Sequence, residues 1–103
     1  MRFFNLPREE REEVLSAVSE ILRERSDLVF AYAFGSFLED LPFRDLDLAV
    51  YLQPGALPPI PFFFEDALAQ ELRNRLTLPF PVDVRVLNGS PLSFQYHALR
   101  GRL

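Results

Sequence analysis

The sequence predicts a small α/β domain, and three observations carry that reading. Two stretches repeat apolar residues at helical spacing, and three short stretches are β-branched and aromatic. The two kinds alternate along the chain, the pattern of helices packed on a sheet. A length of 103 residues fits a single domain over residues 1–103.

The first helix is expected over residues 7–25. Pro7 suits a first helical turn, and Glu9, Glu10, Glu12 and Glu13 suit the positive end of the helix dipole. Val14, Leu15, Val18, Ile21 and Leu22 then recur as a helical stripe. Residues 28–34 (LVFAYAF) read as a buried strand that stops at Gly35. Residues 45–52 (DLDLAVYL) read as a second strand with partial alternation. The stretch 53–61 holds four prolines and one glycine and reads as a loop. Helical spacing returns over 62–76 through Phe64, Leu68, Leu72 and Leu76, and residues 82–87 (VDVRVL) alternate as a third strand. Ser90-Pro91 resembles an N-cap and first-turn proline opening a short last helix.

Composition excludes several kinds of chemistry. All eleven basic residues are arginine, so lysine-dependent phosphate loops and Schiff bases are absent. A single histidine, His97, excludes a multi-histidine metal site, and the lack of cysteine excludes disulfides and thiolate ligands. A net charge of −4 argues against a general nucleic-acid binder. No apolar run approaches the roughly 18 residues of a membrane span. The first residues turn charged too soon for a secretory signal, so the expected setting is the cytoplasm.

Carboxylates and hydroxyls remain. Gly35-Ser36 follows the first strand directly, and eight residues later comes Asp45-Leu46-Asp47 at the head of the second. Strand side chains alternate between faces, so Asp45 and Asp47 share one face while Leu46 and Leu48 take the other. Asp83 faces opposite to Val82, Val84 and Val86 in the third strand. With the leucines and valines turned to the helices, all three carboxylates face one open side. Their mutual repulsion calls for hard divalent cations, which take carboxylate and phosphate oxygens together. Two ions roughly 3.5–4 Å apart can clamp the attacking and leaving oxygens of an in-line displacement. Gly35 lets backbone approach a phosphate, and Ser36 can bond its oxygens.

Taken singly, each feature has a plainer reading. Gly-Ser after a strand is an ordinary turn, and Asp-x-Asp at a strand start is a solvated cap, with Arg44 as a surface partner. Asp83 alone is a surface residue, and His97 alone a packing or surface residue. Phe62, Phe63 and Phe64 read as core and helix-entry packing, with an interface as the alternative, and the acidic run 9–13 as a solvated helix start. The order and strand placement of the glycine, serine and three aspartates set them apart.

At these residues the chain resembles the minimal nucleotidyltransferases of the polymerase-beta-type superfamily. The stretches that match are AFGSF (33–37), RDLDLAV (44–50) and PVDVRVL (81–87), with YHALRGRL (96–103) like the tail of many small members. The resemblance implies a short mixed β-sheet with helices packed on one face. It implies that Gly35 and Ser36 hold the leaving phosphates of the nucleotide. Asp45 and Asp47 are implied to ligate Mg²⁺ or Mn²⁺, and Asp83 to complete the catalytic-side metal and help activate the acceptor hydroxyl. Small members commonly act as antitoxins paired with a helical HEPN-domain toxin, some by transferring AMP from ATP to a toxin tyrosine. The connection 37–44 is shorter than in relatives and carries Glu39 and Asp40 where the triphosphate is expected.

The leading expectation is a nucleotidyltransferase antitoxin that modifies a partner protein. One alternative is a binding module that neutralises its partner by contact alone. Another is a transferase for a small hydroxylated acceptor, disfavoured because no acceptor domain is visible.

Overall fold

The β-branched and aromatic runs form the strands expected of them. The computed structural model describes residues 2–91. Strand β1 spans Leu28–Phe34, β2 spans Leu46–Leu52 and β3 spans Val82–Val86. They form one sheet in the order β1-β2-β3, with β1 antiparallel and β3 parallel to β2. The sheet is therefore mixed. A parallel pair needs a long crossover, and helix α2 (Pro61–Arg75) supplies it, while α1 (Arg8–Arg23) precedes β1.

Alternation decides which face the helices cover. Leu46, Leu48, Val50 and Leu52 of β2 are fully buried, beside Ala31 and Ala33 of β1 and Val84 and Val86 of β3. They pack against Leu15, Val18, Ile21 and Leu22 of α1 and Leu68 and Leu72 of α2. Both helices thus lie on one face, as the resemblance implied. The opposite face holds a smaller cluster of Ala49 and Leu87 with Phe30, Phe34 and Tyr51. β1 carries one extra residue at Val29, where its register with β2 shifts.

One end of the core is aromatic. Phe37, Phe43 and Phe80 meet with ring centroids 4.8–5.7 Å apart, and Phe4 joins through a bridge to Phe43. This cluster lies under the connection between β1 and β2 and gives that connection a floor. After α2 the chain turns through Thr77 at a positive φ of 51°. Leu78 N–H then bonds Arg73 O, and Thr77 N–H bonds Asn74 O, the paired bonds that end many helices, usually with glycine at this position.

The helices begin and end within two residues of the expected bounds. The loop 53–60 contains a short 3₁₀ turn at Pro54–Ala56. The last helix expected after Ser90, with His97 and the tail 96–103, lies outside the described residues. No helix among the described residues is long and apolar enough to cross a membrane.

Candidate active site

The strands bring the three expected carboxylates together. Asp47 and Asp83 are register partners on β2 and β3, and Asp45 immediately precedes β2. One carboxylate oxygen from each of Asp45, Asp47 and Asp83 lies within 4.8 Å of the other two. All three side chains are half-buried on the sheet face away from the helices. The strand itself begins at Leu46 rather than Asp45. Asp45 still joins the group because the chain enters β2 already extended beside β3, with Leu46 N–H bonded to Pro81 O at 3.0 Å.

Crowding changes the acidity of the middle carboxyl. Asp47 is pushed up to about 7, first by burial and then by repulsion from Asp45 and Asp83. A protonated Asp47 also bonds to Asp45, which favours the neutral form further. Arg85 pulls the other way, and its Nε lies 3.6 Å from Asp83 Oδ2. A divalent cation fits this donor set. Carboxylate oxygens gathered within 4.8 Å of one another are the hard anionic ligands such an ion takes, and the cation would replace the proton that Asp47 holds.

Gly35 is fixed beside this group for two separate reasons. Its backbone has φ 84° and ψ −164°, a region essentially reserved for glycine. A Cβ at this position would also stand 2.5 Å from Asp47 Oδ2. The glycine therefore lets the end of β1 lie directly against the carboxylate. Ser36 opens a 3₁₀ turn, Ser36–Leu38, and none of the described residues bonds its hydroxyl.

Arg11 holds the connection that carries Gly35 and Ser36. Its guanidinium donates to the carbonyls of Ser36 and Phe37 at 3.3 Å, Leu41 at 2.8 Å, and Glu39. It also reaches Leu6 O and Asn5 Oδ1 and stacks on the rings of Phe37 and Phe43. Only 4% of this arginine is exposed. In sequence, the acidic run around Arg11 reads as a solvated helix start and hides it. The signal that marks it is spacing, since Arg11, Leu15, Val18 and Leu22 follow one buried stripe.

Asp40, in the acidic connection, is paired with Arg8 of α1 at 2.7 Å, and this pairing holds its carboxyl below the usual range. Of the three successive phenylalanines, Phe64 packs on the core as expected. Phe62 and Phe63 instead stand 64% and 66% exposed at the start of α2. Phe62 borders a hollow of about 240 Å³ that also contains Asp83 and Arg85.

Residues 16–103 match the family described as polymerase beta, nucleotidyltransferase. The chain belongs to that nucleotidyltransferase family. No curated protein matches it. Among solved structures, this nucleotidyltransferase chain is similar to one in the tri-AMPylated Shewanella oneidensis HEPN toxin in complex with MNT antitoxin. There the TM-score is 0.62 at 21% identity, over 88% of this chain and 67% of that one. It is also similar to a chain of the toxin-antitoxin MntA-HepT, with a TM-score of 0.61 at 20% identity, over 87% and 67%. At these identities the likeness is one of fold.

Proposed function

We propose that this protein is a metal-dependent nucleotidyltransferase that moves a nucleoside monophosphate, AMP from ATP, onto a hydroxyl of a partner protein. The partner is a helical HEPN-domain protein, and the pair acts as toxin and antitoxin in the cytoplasm. The observation that carries the reading is the convergence of Asp45, Asp47 and Asp83 against Gly35. Family membership and the fold likeness to chains in toxin-antitoxin complexes support it.

Asp45 and Asp47 would hold the Mg²⁺ or Mn²⁺ ions, with Asp83 completing the set on the acceptor side. Bound there, the cations would neutralise phosphate charge and lower the barrier to in-line displacement. Gly35 would let the backbone at the end of β1 approach the donor's phosphates, and Ser36 would offer its hydroxyl to their oxygens. Asp83 would accept the proton of an incoming hydroxyl. With Asp40 drawn to Arg8, half of the acidic charge in the short connection is already balanced, which weighs against the contact-only alternative.

The test is mass spectrometry of a HEPN-domain partner after incubation with ATP and Mg²⁺. Wild type should add the mass of AMP. Asp47→Asn keeps shape but loses a ligand charge, and should transfer at least about a hundredfold less while still co-purifying with the partner. An unmodified partner that binds wild type and Asp47→Asn equally would establish the contact-only reading instead.

A further inference from the structure

Helix α1 carries an apolar strip besides the one it buries in the core. Leu6, Val14 and Ala17 face Leu76, Leu78 and Phe80 across a groove of about 340 Å³. None of Asp45, Asp47 and Asp83 borders it. Along α1 the lining positions 10, 13, 14 and 17 repeat at helical spacing, turned away from the buried stripe of Arg11, Leu15, Val18 and Leu22. They cover about two turns, roughly 10 Å of helix.

The backbone around this groove is already engaged. On the wall opposite α1, Leu76 N–H bonds Leu72 O, Thr77 N–H bonds Asn74 O and Leu78 N–H bonds Arg73 O. Leu78 O accepts from Arg73 Nε at 3.4 Å, and Pro79 has no N–H to offer. An extended peptide would find no ladder of donors and acceptors here, and its own amides would go unpaired. A helix satisfies its backbone internally and can lay an apolar ridge between the two walls.

The rim is acidic. Glu10 and Glu13 border the groove, and among the described residues neither forms an ion pair. The residues four positions on are Val14 and Ala17, so α1 gives neither glutamate a basic partner. Arginines at the start of the helix are held elsewhere, Arg8 by Asp40 and Arg11 by the carbonyls of the β1–β2 connection. A basic occupant is therefore matched in charge. A second copy of α1 is not, because a twofold contact through this face would set Glu10 and Glu13 against their own counterparts.

We infer that this groove docks a basic amphipathic helix of another protein, its apolar ridge on the floor and its arginines or lysines over Glu10 and Glu13. The groove takes no part in nucleotide transfer, so the inference stands apart from the transferase reading. A helix held there lies on the helix-covered side of the sheet, away from the carboxylate face.

The probe is a synthetic helical peptide of about 18 residues, with leucines along one face flanked by arginines. Its counterpart carries glutamates in place of the arginines. Fluorescence anisotropy with the full chain at low and high salt gives the affinity, and amide NMR shifts locate the peptide. The arginine peptide should bind, more weakly as salt rises, with shifts at Val14, Ala17 and residues 76–80. Its glutamate counterpart should bind at least about tenfold more weakly. Glu10→Gln/Glu13→Gln should weaken the arginine peptide at least about tenfold. Glu9→Gln/Glu20→Gln removes the same charge from α1 away from the groove, and should change affinity by no more than about threefold. Val14→Gln should weaken binding through the floor, and melting curves confirm that each variant is folded. Equal losses in the two glutamine pairs, equal binding of the two peptides, or shifts confined to other surfaces would overturn the docking groove. So would a wild type that sediments as a dimer beside a monomeric Val14→Gln, since a second copy would then fill it.

Discussion

Asp47 and Asp83 are register partners across the parallel β2–β3 ladder, so backbone hydrogen bonds hold two carboxylates abreast. Like charges placed directly opposite destabilise a sheet. The fold keeps this pair, and adds Asp45, at the cost of a carboxyl that resists ionising. A strained electrostatic arrangement of this kind is relieved by a proton or a divalent cation, and the two compete.

That competition predicts a pH dependence. In metal-free protein the Asp47 carboxyl sits at about 7 against an ordinary 3.8. The folded state holds this proton more tightly than the unfolded chain does. Its contribution to stability is therefore complete below about pH 4 and is lost as pH rises through about 7. Added Mn²⁺ or Mg²⁺ should stabilise little at pH 5 and clearly at pH 8. Melting curves across this range, with cation or with EDTA, give the measurement. Asp47→Asn should flatten the metal-free profile relative to wild type and abolish most of the cation effect.

Gly35→Ala should be destabilising in two ways that can be separated. The positive φ alone predicts a loss of about 1–3 kcal/mol in urea unfolding. The added methyl group must also displace Asp47 Oδ2, so cation-induced stabilisation should fall even at temperatures where the variant is fully folded. An alanine variant that keeps wild-type cation binding would contradict the close approach of Gly35 to Asp47.

Arg11→Met should lower stability by about 3 kcal/mol or more, because it leaves the carbonyls of Ser36, Phe37, Glu39 and Leu41 without their donor. Nucleotide affinity should fall as well, since Gly35 and Ser36 lose the brace behind them. Arg11→Lys keeps the charge but not the fork, and should recover only part of each loss. By contrast, Asp40→Asn should leave nucleotide affinity within about twofold of wild type, because Arg8 already balances that charge at the exposed surface. Denaturation and nucleotide titration of the three variants check these statements together.

Phe62 is exposed at the Asp83 hollow, and the exposed ring of Phe63 stands 5.9 Å from it. Changing both to serine should leave the melting temperature unchanged or slightly raised, since neither belongs to the core. Association with a HEPN-domain partner should weaken by at least about tenfold if these rings enter the interface, as aromatic anchors commonly do. Pull-down at graded concentrations, beside the melting curves, would detect it.

Sequence legibility followed the physics of each element. The strands and the facing of the aspartates were readable because side chains alternate with a fixed period of two, whatever surrounds them. Three features were not. Arg11 is buried because carbonyls from residues 36–41 converge on it, a partnership between segments about thirty positions apart. Phe62 and Phe63 share the local spacing of Phe64, and only the closeness of β3 decides which ring the core can admit. The groove between α1 and residues 76–80 exists only once the end of α2 is packed beside α1. The partner of Asp40 was hidden for a similar reason, since Arg8 lies on α1.

β2, which carries Asp47 and is preceded by Asp45, is the central strand, laced to a neighbour on each side and fully buried on its inner face. The loop 53–60 leaves its far end, at the opposite end of the strand from Asp45 and Asp47. Mutation can therefore lengthen or rewrite that loop without prying the carboxylates apart. In evolutionary terms the acidic cluster is insulated from change in the loop. A lineage built on this frame is free to remodel that corner while the carboxylates stay as they were.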